Sequence, residues 1–466
     1  MSSRIRNSHG RRGAGWRSLA VAAAAAVATS VSAVGPVDAA DATALSVRTE
    51  GFTLDNGLRV VLAPRSGSPT VAVAVYYDVG SASEVQGRSG FAHLFEHMMF
   101  QGSANVPKGG HFQHIFGNGG NMNGTTSEDR TNYFEILPSD RLGLALWLES
   151  DRMKSLAVTQ ENFENQREVV KEERRTSIDN QPYNPAWLEF DDLAYECWPY
   201  THSTIGSMDD LNAAQLADVQ AFFDLYYKPN NAVLVIAGDF DESEARAQVE
   251  HWFGSIARGA EPPRWQCDEP EQTAAREKVV EDALAKQPAV MIGWKIEPEP
   301  SAENDAAQVL SHILGGGESS RLYGRLVRET GHALDVESFT YGRRGPDLLG
   351  VFATSNGVPS AQLRAELEAE VAALTERPIT AEEVEAAKQQ LMRQVVSGID
   401  GNLRLALRVG EDTLYHGEPD RVNGALDRIR AVTVADVQRL AQQKLRPERA
   451  TVVRVDVKAR TEEAGR

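Results

Sequence analysis

Between residues 91 and 100 the chain reads FAHLFEHMMF, and no other run limits its folding so tightly. Apolar side chains occupy nearly the whole circumference of a helical wheel there, which predicts a buried helix. Set into that helix are His93, Glu96 and His97. Positions i and i+4 share a helix face and i+3 lies beside them, so the three side chains point into one small volume. Alone, a helical histidine is more often a satisfied core or surface residue. Three polar groups buried together are costly unless something satisfies them, and a metal ion does so. Two neutral imidazoles at this spacing can hold zinc and leave the carboxylate free to take a proton from water. The order is the inverse of the commoner H-E-x-x-H.

A catalytic zinc takes a third protein ligand and keeps one position open. A helical stretch over residues 159–180 supplies the candidate. At about 100° per residue, Gln166, Val169, Val170 and Glu173 fall in one arc, which predicts Glu173 on the buried face and Glu172 at its edge. Most carboxylates in so charge-rich a helix are solvated; a buried one needs a cation, and the histidine pair offers it.

The chain resembles the pitrilysin-type metallopeptidases, a family that includes insulin-degrading enzyme and the mitochondrial processing peptidase. The resemblance is carried by NGLRVVL at 56–62, GSASE at 80–84, GFAHLFEHM at 90–98 and GGNMNGTT at 119–126, then WPY at 198–200, IG at 205–206 and YYKPNNA at 226–232. It implies that His93, His97 and Glu173 bind one Zn2+ per chain and that Glu96 is the general base. Many members carry a glutamate seven residues before the third ligand; Gln166 stands there in this chain. The resemblance also implies an α+β fold of two homologous α/β-sandwich halves facing each other across a chamber.

The patterning agrees with two halves. Strands are expected at 59–63, 71–79 and 232–238 and helices at 142–153 and 159–180. After a proline-bearing linker come strands at 289–294 and 451–455 and helices at 302–314, 361–374 and 381–399. The expected division is a signal segment at 1–39, a zinc-binding half at 40–257, a linker at 258–275 and a second half at 276–466 without the metal motif. Asn123-Gly124 reads either as a hairpin turn or, by the resemblance, as part of an edge strand pairing with extended substrate. The glycines at 315–317 lack the Gly-Lys-Ser/Thr of a phosphate cradle. By the resemblance, the helix after them leads to a substrate-contacting arginine and tyrosine. Arg328 stands one residue from the first place, and Leu334 occupies the second, where it cannot donate a hydrogen bond.

A formal net charge of −18 argues against a nucleic-acid partner. Cys197 and Cys267 are too few and too far apart for a thiolate zinc site, and the sequence leaves their pairing open. Arg4, Arg6, Arg11, Arg12 and Arg17 precede an apolar run at 19–28 too short to span a bilayer. That pattern predicts a signal peptide cleaved near Ala39 and a soluble exported, periplasmic protein with no membrane span. The function expected is a zinc-dependent endopeptidase or oligopeptidase acting on peptides or unfolded polypeptides. It is expected to work as a dimer, possibly with a related subunit carrying the arginine and tyrosine. The competing reading is a peptide-binding or assembly subunit whose zinc is structural.

Overall fold

The computed structural model describes residues 44–374 and 376–458; the expected signal segment lies outside the described residues. Six strands form the first sheet: β1 (Glu50–Thr53), β2 (Arg59–Pro64), β3 (Thr70–Tyr77), β4 (Asn121–Thr126), β5 (Thr131–Pro138) and β6 (Ala232–Gly238), in the order β1-β2-β6-β3-β5-β4. Five form the second: β7 (Arg276–Asp282), β8 (Ala289–Ile296), β9 (Ala333–Thr340), β10 (Asp347–Ser355) and β11 (Thr451–Val457), in the order β7-β11-β8-β10-β9. Without β1 the two orders correspond strand for strand. In each sheet the first and last strands of the repeat are parallel neighbours and the other pairings are antiparallel. This recurrence is the duplicated α+β unit that the patterning predicts.

Helices α1 (Phe91–Met98), α2 (Gly110–Gly117), α3 (Leu142–Ser155), α4 (Gln160–Arg174), α5 (Asn184–Ala194), α6 (Trp198–Thr201), α7 (Met208–Ala213), α8 (Leu216–Tyr226) and α9 (Glu242–Phe253) belong to the first part of the chain. The second part carries α10 (Ala302–Gly315), α11 (Ser360–Ala372), α12 (Ala381–Ser397), α13 (Asn402–His416), α14 (Ala425–Ala431) and α15 (Val434–Lys444). Because side chains alternate along a strand, each sheet has two apolar faces to cover. On the first sheet Val60, Leu62, Val73 and Val75 pack with α1, α3 and α8, while Val61, Ala72, Ala74 and Val235 pack with Leu405, Ala406 and Val409 of α13. On the second sheet the face with Ala289, Met291 and Val453 receives Ala186 and Phe190 of α5. Each part therefore lends a helix to the other part's sheet. Glycine permits both approaches: a Cβ at Gly410 would lie 2.3 Å from the Tyr76 ring, and one at Gly293 would lie 2.8 Å from Phe190.

The expected strands and helices are present, with ends shifted by a few residues, and two local readings change. The helix over 159–180 is α4 continued by a π-helical turn over Arg175–Asp179. Of the two readings of Asn123-Gly124, the edge strand is the one observed: both lie within β4, with Gly124 opposite Tyr133, and the chain turns at 127–130. The segment expected to stay helical to Leu334 ends as a π-helical turn over Tyr323–Glu329; Gly331 adopts φ +67° and Ala333 opens β9. Leu334 thus stands on an edge strand with an exposed side chain.

Cys197 and Cys267 are joined in a disulfide across 70 residues of chain, tying the start of α6 to the irregular segment between α9 and β7. The loop from β9 to β10 also holds the β4–β5 turn. Arg343 pairs with Glu128 and Asp191, the Arg344 amide donates to Asp129, and Tyr200 donates to Asp129 while accepting from the Gly345 amide. Among the described residues no helix is long and apolar enough to cross a membrane.

Candidate metal centre

Helix α1 starts where Gly90, at φ +88°, turns the chain left-handed, a conformation glycine adopts without steric cost. Phe91, Leu94, Phe95 and Met98 are buried and leave one stripe, His93, Glu96 and His97, facing β4 and α4. Helix α4 is capped by Thr159, whose hydroxyl accepts from the Asn162 amide, and it buries Phe163, Gln166 and Val170. Val169 does not share that burial: it is 42% exposed, because the packed arc is rotated toward Phe163. Glu173 lies half-buried at the arc's edge, two residues before the π-helical turn, whereas Glu172 points outward and pairs with Arg175.

Glu173 Oε2 lies 3.2 Å from His97 Nε2 and 3.8 Å from His93 Nε2. A tetrahedral zinc with ordinary bond lengths separates its ligand atoms by about 3.3 Å, so this donor set fits the ion in type and spacing. All three ligand atoms lie within 4.8 Å of one another. Burial lowers the His93 imidazole to about 4 and lowers His97 as well, which keeps both rings neutral as a metal requires. Gln166 adjoins the His97 ring and donates to Asn165 Oδ1 at 2.8 Å. Cys197, Cys267 and Glu269 also cluster, but their sulfurs are consumed by the disulfide.

Glu96 lies beside the triad with its carboxyl raised by burial. Thr126, at the end of β4, donates a 2.6 Å hydrogen bond to Glu96 Oε2. A Cβ at Gly124 would lie 3.1 Å from Glu96 Cγ and 3.1 Å from the Tyr133 ring. The glycine therefore makes room for the protein's own groups. Behind Tyr133 the guanidinium of Arg152 stacks at 4.4 Å from the ring centroid, paired with the fully buried Glu149. Asn123 is exposed on β4, at the sheet's edge. Arg328 is not brought to this centre: its guanidinium lies 6.0 Å from the Tyr323 ring, and its helix packs on β9 and α11.

Residues 59–190 match the insulinase domain of peptidase family M16, and residues 213–391 match the Peptidase M16 inactive domain. Zinc protease PqqE of Helicobacter pylori is 31% identical over 412 residues, covering 87% of this chain and 92% of that protein. The chain belongs to peptidase family M16. The crystal structure of a protease from Helicobacter pylori has a TM-score of 0.84 at 29% identity, covering 88% of this chain and 99% of that one. The mitochondrial-processing peptidase beta subunit of Lentinula edodes is 25% identical over 427 residues, covering 87% and 89% of the two chains. The pitrilysin-type resemblance read from the motifs is thus the family itself, and relatives from Helicobacter pylori and Mycobacterium leprae are named zinc proteases. The sequence reading missed Thr126 and Arg152. Thr126 follows the Asn123-Gly124 pair on the same strand, and that alternation was the available signal; Arg152 reads as an ordinary charged residue on a helix.

Proposed function

We propose that the chain is a zinc-dependent endopeptidase or oligopeptidase acting on peptides and unfolded polypeptides. The convergence of His93, His97 and Glu173, with Glu96 beside them, carries this reading. One zinc ion held by those three residues supplies a Lewis acid that polarises a carbonyl and acidifies water. Glu96 accepts the proton of the attacking water and passes it to the leaving amine. Thr126 fixes the orientation of that carboxylate, and Gln166 adjoins the His97 ring. Along β4 the backbone of Asn123 and Gly124 pairs with an extended substrate, which reads peptide shape with little demand on sequence. Residues 40–257 and 276–466, joined by 258–275, act as two halves around a chamber that admits short or unfolded chains.

Export to the periplasm fits the disulfide, which persists in oxidising compartments. The second half lacks a donor at Leu334, and Arg328 rests on Tyr323. We therefore place the chain in a dimer, with a related subunit supplying the arginine and tyrosine. The same deficit favours the second reading, an assembly subunit with a structural zinc; the intact Glu96 stands against it, since a structural site needs no free base. Assay of a peptide mixture with the purified chain, alone and with a co-purified relative, tests these readings. Turnover that depends on Glu96 supports the peptidase. Zinc without turnover in either preparation supports the assembly subunit.

A further inference from the structure

The helix carrying both histidines begins in the grip of a buried carboxylate. Gly90 N and Ala92 N donate to the two oxygens of Glu84 at 2.9 and 2.8 Å, and the Glu84 side chain has no exposure. First-turn amides have no partner within their own helix, so an acceptor at this point fixes where the helix begins. Glu84 is in turn held by His202, whose Nε2 lies 3.1 Å from Glu84 Oε2.

The surroundings of the His202 ring set its charge. Its Nδ1 lies 2.8 Å from the Trp198 carbonyl, and its Nε2 lies 3.0 Å from the Ser81 carbonyl as well as against Glu84. The two carbonyls can only accept, and both Glu84 oxygens already accept helix amides, although burial raises the Glu84 carboxyl; ionised, Glu84 too can only accept. Neutral imidazole has one donor and one acceptor nitrogen, so either tautomer aims a lone pair at an oxygen. Only the doubly protonated ring satisfies both sides. The ring stacks on Trp198 at 4.1 Å between centroids, 11° from parallel. Its platform is anchored: Cys197 is tied to Cys267, and the amides of Glu196 and Cys197 both donate to Glu269.

We propose that His202, as an imidazolium paired with Glu84, is a pH-dependent positioning residue that holds the metal-binding helix α1 in register. The other titratable group at this point is Tyr226 of α8, which donates to the Ser83 carbonyl and is kept neutral by burial and by Glu84. Nearby Asp210 is taken up by Ser89, and Arg174 by the Gly206 carbonyl. Burial opposes the charge on His202, but its bonds to Glu84 and the two carbonyls raise it above 6.5. The contribution needs His202 protonated and Glu84 ionised: it is lost as pH rises through the raised His202 value, and lost again as pH falls through the Glu84 carboxyl, which burial raises.

The inference rests on α1 being the metal helix, and the test separates the two. In the full zinc-loaded chain, His202→Arg keeps charged donors at all pH, whereas His202→Gln cannot donate from both sides. Zinc release to a chelator and the unfolding midpoint are followed from pH 6 to 9, with kcat and KM for a peptide. Relative to His202→Arg, the wild type should release zinc several-fold faster and lose kcat more than KM as pH rises. His202→Gln should be fast throughout. A wild-type to His202→Arg ratio that stays constant with pH overturns the proposal. Should the variants not fold, direct NMR titration of the wild-type His202 ring decides it: a value at or below 6.5 is the contrary result. That titration needs no metal, so a chain that binds no zinc would sink the metal reading while leaving His202 measurable.

Discussion

Thr126 Oγ1 donates to Glu96 Oε2 at 2.6 Å, joining the edge strand to the carboxylate beside the metal ligands. The same strand that is proposed to receive substrate thereby sets the orientation of the base. Hydrogen bonds to charged groups contribute about 1.5–3 kcal/mol. Thr126→Val should lower kcat about tenfold to a hundredfold with zinc content unchanged, and Thr126→Ser should restore most of it. A Thr126→Val variant with normal kcat would remove Thr126 from the mechanism.

Glu172 and Glu173 are adjacent but face different surroundings. The Glu173 oxygen lies 3.2 Å from His97 Nε2, whereas Glu172 is bonded to Arg175 on the outside of the helix. Glu173→Gln should lose zinc to a chelator far faster than Glu172→Gln, read by metal content after dialysis. Equal loss from both would place the third ligand elsewhere.

Much of this site was legible because the helix period is rigid. His93, Glu96 and His97 share a stripe by arithmetic alone, and the same arithmetic put Glu173 within reach. It erred on Val169, because which part of an arc is buried depends on where the neighbouring helix lies. The exchange of α5 and α13 between sheets could not be read: an apolar stripe says that a helix is covered, not by which sheet. Strand β9 escaped notice because Asp335 and Glu337 interrupt the apolar run on an edge that tolerates charge. Glu84 and His202 are far apart in sequence, and only the fold brings them together.

The disulfide closes a loop of 70 residues, which on a chain-entropy basis stabilises the fold by about 4 kcal/mol. Reduction, or Cys267→Ser, should lower the unfolding midpoint of the full chain by several degrees, measured by calorimetry. An unchanged midpoint would mean that the bond constrains nothing in the unfolded chain.

Asp129 lies between Tyr200 and the Arg344 amide, and burial raises its carboxyl to about 6. The folded state therefore holds a proton there that the unfolded state, with an ordinary value near 3.8, has released. Between about pH 4 and 6 this group makes folding more favourable as pH falls, and above 6 its full desolvation cost is present. Relative to Asp129→Asn, the wild type should gain stability on going from pH 7 to pH 5. A difference in midpoint that does not vary with pH would contradict the assignment.

Glu96→Gln tests the central claim most directly, with zinc content and peptide hydrolysis measured on the same preparation. The amide keeps the shape of the side chain but cannot accept the proton of water. The account predicts about one zinc per chain, as a site of three protein ligands and one open position requires, and hydrolysis at the level of the buffer. Full hydrolysis by Glu96→Gln would contradict it.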